Sequence, residues 1–273
     1  TDVGYSFNAS FQIQRQFDND FYVMFAYNFL DAKDASSIEA EISSDAYDRN
    51  PILGNVNNLE ATRSLYGNRH RIIGSLYKTW KYGNWATTVS TFISYAQAGT
   101  TDNDNVADYR FTYTYSGDIN GDGSAFNDLI YIPTDDELDE MNFAEDAQRS
   151  AFRAYIQQDD YLSENRGSYA EKYALVAPWY SQMDIRVLQD LNLQIGERTN
   201  KIQLSLDILN VGNLINSYWG VRTLPNNTQP LGVTVDDTGT PTYTFDTNLK
   251  DTFSDFTGLI SRWQARVGLR YVF

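Results

Sequence analysis

The chain ends in the stretch Ile260–Phe273, which reads ISRWQARVGLRYVF. Mostly apolar side chains occupy every second position from Ser261 to Phe273, and Arg262, Arg266 and Arg270 lie between them. Because successive side chains of a β-strand point to opposite faces, this alternation predicts an amphipathic strand with one apolar and one cationic face. An edge strand of a soluble sandwich also alternates, but it rarely ends its chain on an aromatic residue.

The same alternation recurs along the chain. A tight turn at Asp18–Asp20 and another at Gly83–Asn84 separate pairs of these segments. We count about nine barrel strands, and most of them alternate as the strands of outer-membrane barrels do, although Phe21–Leu30 is more uniformly apolar. They are the final stretch together with Tyr5–Gln14, Phe21–Leu30, Asn68–Lys81, Trp85–Tyr95, Tyr109–Ser116, Tyr180–Ile195, Lys201–Leu209 and Ser217–Leu224.

Three stretches without this alternation, 31–66, 118–178 and 225–258, predict long loops. The middle one contains a helix signal at Asn142 with Glu145 three residues later, followed by Phe152, Tyr155 and Ile156 on one face. The Tyr-rich face of 109–116 predicts a strand on a barrel exterior. Because neighbouring strands run in opposite directions, the strand count fixes the end of the barrel at which each connection lies. A count of about nine places 118–178 at the end of the tight turns, which conflicts with the length of this segment.

The composition limits the class of protein. The chain has 273 residues, 15% aromatic, no Cys and a formal charge of -15, which disfavours a nucleic-acid partner. No window approaches ~18 consecutive apolar residues, so a transmembrane helix is not expected. The first residues lack a signal-peptide pattern, and the start at Thr1 suggests the carboxy-terminal part of a longer chain.

These patterns together predict an all-β fold, a transmembrane antiparallel β-barrel that is incomplete within residues 1–273. The expected location is the outer membrane of a Gram-negative bacterium, with its lipid as partner. Leu269, Tyr271 and Phe273 resemble the carboxy-terminal signal that the barrel-assembly machinery recognises in such proteins.

Five internal stretches resemble TonB-dependent outer-membrane receptors of the SusC and Oar-like type. In chain order they are Ser116–Gly123 with Asn127–Pro133, Tyr161–Leu162 with Arg166–Gly167, Pro178–Trp179, Asp184–Arg186 and Leu206–Asn213. The resemblance implies a large plugged barrel of about 22 strands. The plug and the TonB-contacting segment would lie upstream, and a SusD-like surface lipoprotein would be a candidate partner.

A candidate cation site follows from spacing. Asp118, Asn120 and Asp122 alternate before Gly123, as oxygen ligands do at the start of a calcium loop. The twelfth position is Leu129 where a bidentate acid is wanted, and Asp128 lies one place early. Calcium is therefore one interpretation, and a turn stabilised by Asx side chains and glycine is the other.

Other polar residues have two interpretations each. Arg186, Arg262, Arg266, Arg270, Asp184 and Asp207 are expected to face the lumen, where they would bind solute or solvate the wall. Asp159–Asp160 and Asp135–Glu137 have the composition of paired glycosidase acids, but nothing frames them in a cleft. We expect no enzyme activity. The function implied by the resemblance is uptake of a large nutrient, an oligosaccharide or a peptide, and the alternative is an Oar-like barrel for adhesion or secretion.

Overall fold

The structure is a computed structural model that describes residues 4–37, 42–55, 57, 60–97, 110–195 and 198–273. Its main feature is one large antiparallel sheet. Seven long strands follow one another in this sheet: β1 (Tyr5–Phe17), β2 (Phe21–Asp34), β3 (His70–Tyr82), β4 (Trp85–Gln97), β5 (Trp179–Ile195), β6 (Arg198–Leu209) and β7 (Gln264–Val272). The short strand Thr62–Arg63 pairs with the end of β2. The all-β prediction is confirmed.

The strand count differs from the prediction of about nine. Within the described residues, two of the predicted wall strands lie outside the large sheet. The stretch 110–116 forms only Arg110–Phe111 and Tyr115–Ser116, and the stretch 217–224 forms the short strand Arg222–Pro225. Tyr109 lies outside the described residues; for 110–116 the prediction of a barrel exterior is wrong, since Tyr113 and Tyr115 are 1% and 2% exposed.

Removing these two strands resolves the parity problem. The tight turns after β1 and β3 now lie at the same end of the sheet as the paired residues Ile195 and Arg198, where β5 leads into β6. The connections that follow β2, β4 and β6 lie at the other end, so 118–178 joins the long connections and not the tight turns. One end of the sheet is bare and the other carries nearly all the remaining chain.

Where the structure describes the long connections, they contain five short helices and the 3-10 turn Leu259–Ser261. The helices are α1 (Ser43–Asp48), α2 (Asp135–Glu140), α3 (Asp146–Gln158), α4 (Asp160–Glu164) and α5 (Val211–Ile215). Helix α3 confirms the predicted helix, but it starts at Asp146 after Glu145 and not after Asn142. In the described chain no helix is both long enough and apolar enough for a membrane span. The other short strands are Tyr131–Ile132, Ser168–Tyr169, Leu175–Val176, Leu231–Val235, Pro241–Phe245 and Phe253–Phe256.

Residues 110–178 and 222–258, which we call the rim module, share one hydrophobic core. Phe152 lies at its centre, with ring centroids 6.1 Å from Phe143 and 5.3 Å from Phe245. Ile130, Ile132, Leu138 and Leu231 are fully buried around it. The strand Leu231–Val235 also pairs with Tyr115–Ser116, so two distant connections build one folded unit.

Candidate functional site

One face of the large sheet is apolar across all seven strands. Directly paired residues point the same way in an antiparallel sheet, so the register identifies each face. Leu206 pairs with Val187 on one side and with Val267 on the other, and Leu204 pairs with Leu269. The same face continues through Val89 on β4 to Leu76 on β3.

This apolar face is exposed instead of covered by protein. Phe11 and Ile13 are 59% and 60% exposed, and Val267 and Leu269 are 76% and 73% exposed. The main cluster of buried hydrophobic residues lies in the rim module. A water-soluble sheet would bury such a face against a second layer, because exposed apolar patches of this extent mark an interaction surface.

Aromatic side chains form a band at each end of the apolar face. At the tight-turn end, Phe17 and Phe21 stack at 5.5 Å, and Trp80, Tyr82 and Trp85 extend the band. At the long-connection end, Phe29 lies 5.4 Å from His70, and Trp179 lies 6.2 Å from His70. The lone His70 therefore belongs to an aromatic band, where its Nδ1 is 2.8 Å from the Tyr27 hydroxyl.

The terminal residues Leu269 and Tyr271 lie on the apolar face by register, and Phe273 follows them at the same spacing. Tyr271 and Phe273 stack at 5.7 Å, and Phe273 is 85% exposed. The three side chains of the predicted assembly signal are thus presented at the edge of the sheet, beside the tight-turn band.

The opposite face is polar and contains a charge network. Asp207 on β6 is 5% exposed and accepts hydrogen bonds from Arg186 on β5 and Arg266 on β7, the latter at 3.2 Å. Closer to the tight-turn end of β5 and β6, Lys201 pairs with Asp190 at 2.7 Å. The predicted polar-face residues Arg186, Asp207 and Arg266 therefore meet across three strands.

The remaining predicted polar-face residues do not join this network. Asp184 accepts a hydrogen bond from the Asn210 backbone N–H at 2.8 Å, which fixes the end of β6. Arg270 lies opposite Gln203 on the polar face. Arg262 was expected in the last strand, but that strand begins at Gln264; Arg262 follows the 3-10 turn and its Nε donates to the Thr257 carbonyl at 3.3 Å.

The candidate cation residues Asp118, Asn120, Asp122 and Asp128 do come together in one loop. Asp118 accepts backbone N–H bonds from Gly121 at 2.6 Å and Gly123 at 2.8 Å, and Asp122 accepts from Ser124 at 2.9 Å. Asp128, which is 3% exposed, accepts from Ile119 at 3.1 Å and from the Asn120 side chain.

These contacts fit a turn better than a metal site. Backbone N–H groups already use the carboxylate oxygens that calcium would need, as in Asx turns. Within the described residues, no three acidic, His or Cys side chains are grouped so that they could hold a metal ion. Calcium accordingly has no part in the function proposed below.

The other acidic pairs are held in structural contacts. Asp159 is 3% exposed and accepts from Tyr113 Oη and from the Leu162 N–H, both at 2.7 Å. Asp135 pairs with Arg153 and Arg166, each at 3.3 Å. Two aromatic residues of the loops differ in exposure: Tyr243 packs against Phe143 at 5.8 Å, whereas Trp219 is 55% exposed.

Sequence reasoning missed Lys172, which is 4% exposed in the rim module. Its Nζ donates to the Ala35 carbonyl and to Asn50 Oδ1, both at 2.9 Å, so it fastens the connection after β2 to the module. Burial lowers the pKa of Lys172. A single lysine in a Tyr-rich stretch carries no local signal of this role.

No protein-family model matches the chain, and no curated protein or solved structure matches it significantly.

The Asp118–Asp128 loop gives a pH-dependence test. Burial raises the pKa of Asp128, and the charges of Asp122 and Asp118 act in the same direction. A raised folded-state pKa contributes stability at low pH that is lost as pH rises through it. We expect the melting temperature to rise on acidification from pH ~7 towards the ordinary Asp pKa of about 4, and to rise less in Asp128→Asn.

A matched control is Asp236→Asn at the tip of the hairpin between Leu231–Val235 and Pro241–Phe245. Hydrogen bonds, first from the Thr238 side chain and then from backbone N–H groups, lower the pKa of Asp236, so its contribution is lost only below the ordinary Asp pKa. This variant should keep the full rise. Both melting curves are recorded in the presence of a chelator. If the melting temperature of Asp128→Asn rises on acidification as much as that of the wild type, Asp128 is not the group responsible.

Proposed function

We propose that this chain forms part of the wall of a TonB-dependent transporter in the outer membrane of a Gram-negative bacterium. The observation that carries the proposal is the exposed apolar face that runs across seven strands while the protein core lies elsewhere. In outer-membrane barrels that face contacts lipid, and the opposite polar face lines the lumen.

The separation of the two aromatic bands supports a membrane span. Tyr95 stacks on Trp179 at 4.7 Å and so belongs to the band at the long-connection end. From Trp85 to Tyr95, strand β4 rises about 33 Å at ~3.3 Å per residue. A strand tilt of ~40° reduces this to about 25 Å along the membrane normal, which is the height of the apolar band in such barrels. Interfacial aromatic residues are enriched at these two levels.

The asymmetry of the connections supports an orientation. Outer-membrane barrels have short periplasmic turns and long extracellular loops. The tight-turn end would therefore face the periplasm, and the rim module would stand at the cell surface. There it is placed to receive a nutrient too large for porins, an oligosaccharide or a peptide, with a SusD-like lipoprotein as candidate partner.

The residues of this chain would serve structural and binding roles in transport. The Arg186–Asp207–Arg266 network solvates the lumenal wall, and the exposed Leu269, Tyr271 and Phe273 would be read by the barrel-assembly machinery during insertion. Coupling to TonB would come from a segment outside residues 1–273.

The first test is physical. We expect the protein to be extracted from outer membranes only with detergent and to change gel mobility on heating, as closed barrels do. Extraction by salt or alkali without detergent would contradict the membrane assignment and favour a soluble all-β protein.

The second test concerns transport. Cells that carry the protein should take up a labelled oligosaccharide or peptide from a panel above the porin size limit, and should lose that uptake when either the protein or TonB is removed. Normal uptake in both deletions, together with lost surface adhesion or secretion, would favour the Oar-like alternative.

A further inference from the structure

A cavity of about 460 Å³ lies where the long-connection end of β1 and β2 meets the rim module. Four cationic side chains line it, Lys33, Arg63, Arg69 and Arg110, against the three carboxylates Asp31, Glu60 and Glu171. The whole chain has 36 acidic and 21 basic residues, so an excess of cations here departs from its average. A local cation excess attracts anionic ligands.

The four cations differ in their partners among the described residues. Arg63 pairs with Glu171 at 3.7 Å, and Asp31 accepts a hydrogen bond from Tyr5 Oη at 2.6 Å. Within the part of the chain that the structure describes, no carboxylate lies within salt-bridge distance of Lys33 or Arg69. Among the described residues, the buried Arg69 Nε atom meets no hydrogen-bond acceptor, and the hydroxyl of Thr62, which also lines the cavity, has no hydrogen-bond partner. Unpaired buried donors of this kind favour an acceptor-rich ligand.

The register places the cavity at the rim of the apolar face. Tyr5 pairs with Lys33, and Lys33 pairs with Arg63, so the three side chains form one row on the side of the sheet that carries Phe7 and Phe29. This row lies just beyond the aromatic band at the long-connection end. In a membrane, lipid headgroups lie at that level, next to the interfacial aromatics.

We propose that this cavity binds the phosphate of an anionic lipid headgroup in the outer leaflet. The proposal rests on the proposed function, because only a membrane-inserted sheet brings headgroups to this level. Lys33 and Arg69 supply the charge, and the Arg69 Nε–H and Thr62 hydroxyl supply donors that are otherwise unused. Arginine is suited to this role because its planar fork matches phosphate oxygens.

The test compares lipid retention in the full-length, detergent-extracted protein. Native mass spectrometry would follow phosphatidylglycerol, which is anionic, and phosphatidylcholine, which is not. A near-surface cation strengthens binding to anionic lipid about fivefold, so Lys33→Gln with Arg69→Gln should weaken phosphatidylglycerol binding about 30-fold and leave phosphatidylcholine unchanged. The matched control is Lys250→Gln with Arg262→Gln, which removes two cations outside the cavity and should leave both lipids unchanged.

Three results would overturn the site. They are equal retention of both lipids by the wild type, unchanged phosphatidylglycerol binding in the Lys33/Arg69 variant, and full displacement by inorganic phosphate, which would identify a site for the free oxyanion. Heat-dependent gel mobility is measured on every sample. If the protein is heat-modifiable and one of these results appears, only the headgroup site is contradicted. If the protein is not heat-modifiable, the proposed function itself is contradicted.

Discussion

Replacing Phe152 with alanine is expected to destabilise the rim module by about 3–5 kcal/mol, the usual cost of removing a fully buried phenylalanine. Phe152 is 0% exposed and packs between Phe143 and Phe245, which come from different connections. The cavity left behind would therefore loosen both connections at once. Urea unfolding followed by hydrogen exchange in residues 110–178 and 222–258 measures the effect.

The control for this substitution is Phe126→Ala in the same module. Phe126 is 60% exposed, so its loss should change stability by no more than about 0.5 kcal/mol. Because the wall strands contribute almost nothing to the core, exchange in β1 to β7 should stay unchanged in both variants. Equal destabilisation by the two substitutions would contradict the shared core.

Replacing Leu76 with lysine is expected to oppose membrane insertion by about 2–4 kcal/mol, the cost of a lysine on the lipid face near the bilayer midplane. Leu76 lies midway along β3 on the apolar face and is 37% exposed. The measurement is the urea dependence of folding into lipid vesicles. In water the same change would be harmless or would improve solubility, so the sign of the effect distinguishes the two environments.

The neighbouring residue offers a control on the other face. Ser75 pairs with Met24 and Phe92 on the polar face, and Asp184 and Asp207 lie across the same groove. Ser75→Lys should therefore change folding by less than about 1 kcal/mol. Equal costs for Leu76→Lys and Ser75→Lys would contradict the assignment of the apolar face to lipid.

Much of the large sheet could be predicted from alternation alone, because each of its strands has one apolar face. The stretch 109–116 shows where this reasoning fails. Its tyrosines alternate with polar residues as regularly as the apolar residues of β1 do, but period two indicates only that one face is apolar and not what covers that face. For Tyr113 and Tyr115 the cover is the core of the rim module, which the chain completes with residues more than one hundred positions later.

The sequence predicted some contacts of the candidate site and missed others. The Arg186–Asp207–Arg266 network follows from alternation plus register, whereas Arg262 was misplaced because a 3-10 turn delays the last strand. The convergence of Asp118, Asn120, Asp122 and Asp128 could be expected from their short spacing. The sequence could not predict that Lys33 and Arg69 line the same cavity, since the connection from β2 to β3 brings them together only in the fold.

The joint core of the rim module has a mechanical consequence. The connection after β4 and the connection after β6 contribute interleaved strands to one core, and Lys172 ties the connection after β2 to it. These three loops therefore cannot open one at a time as hinged flaps. A force applied to any of them is transmitted through the common core to three hairpins of the wall. The three connections should therefore move together as one rigid unit.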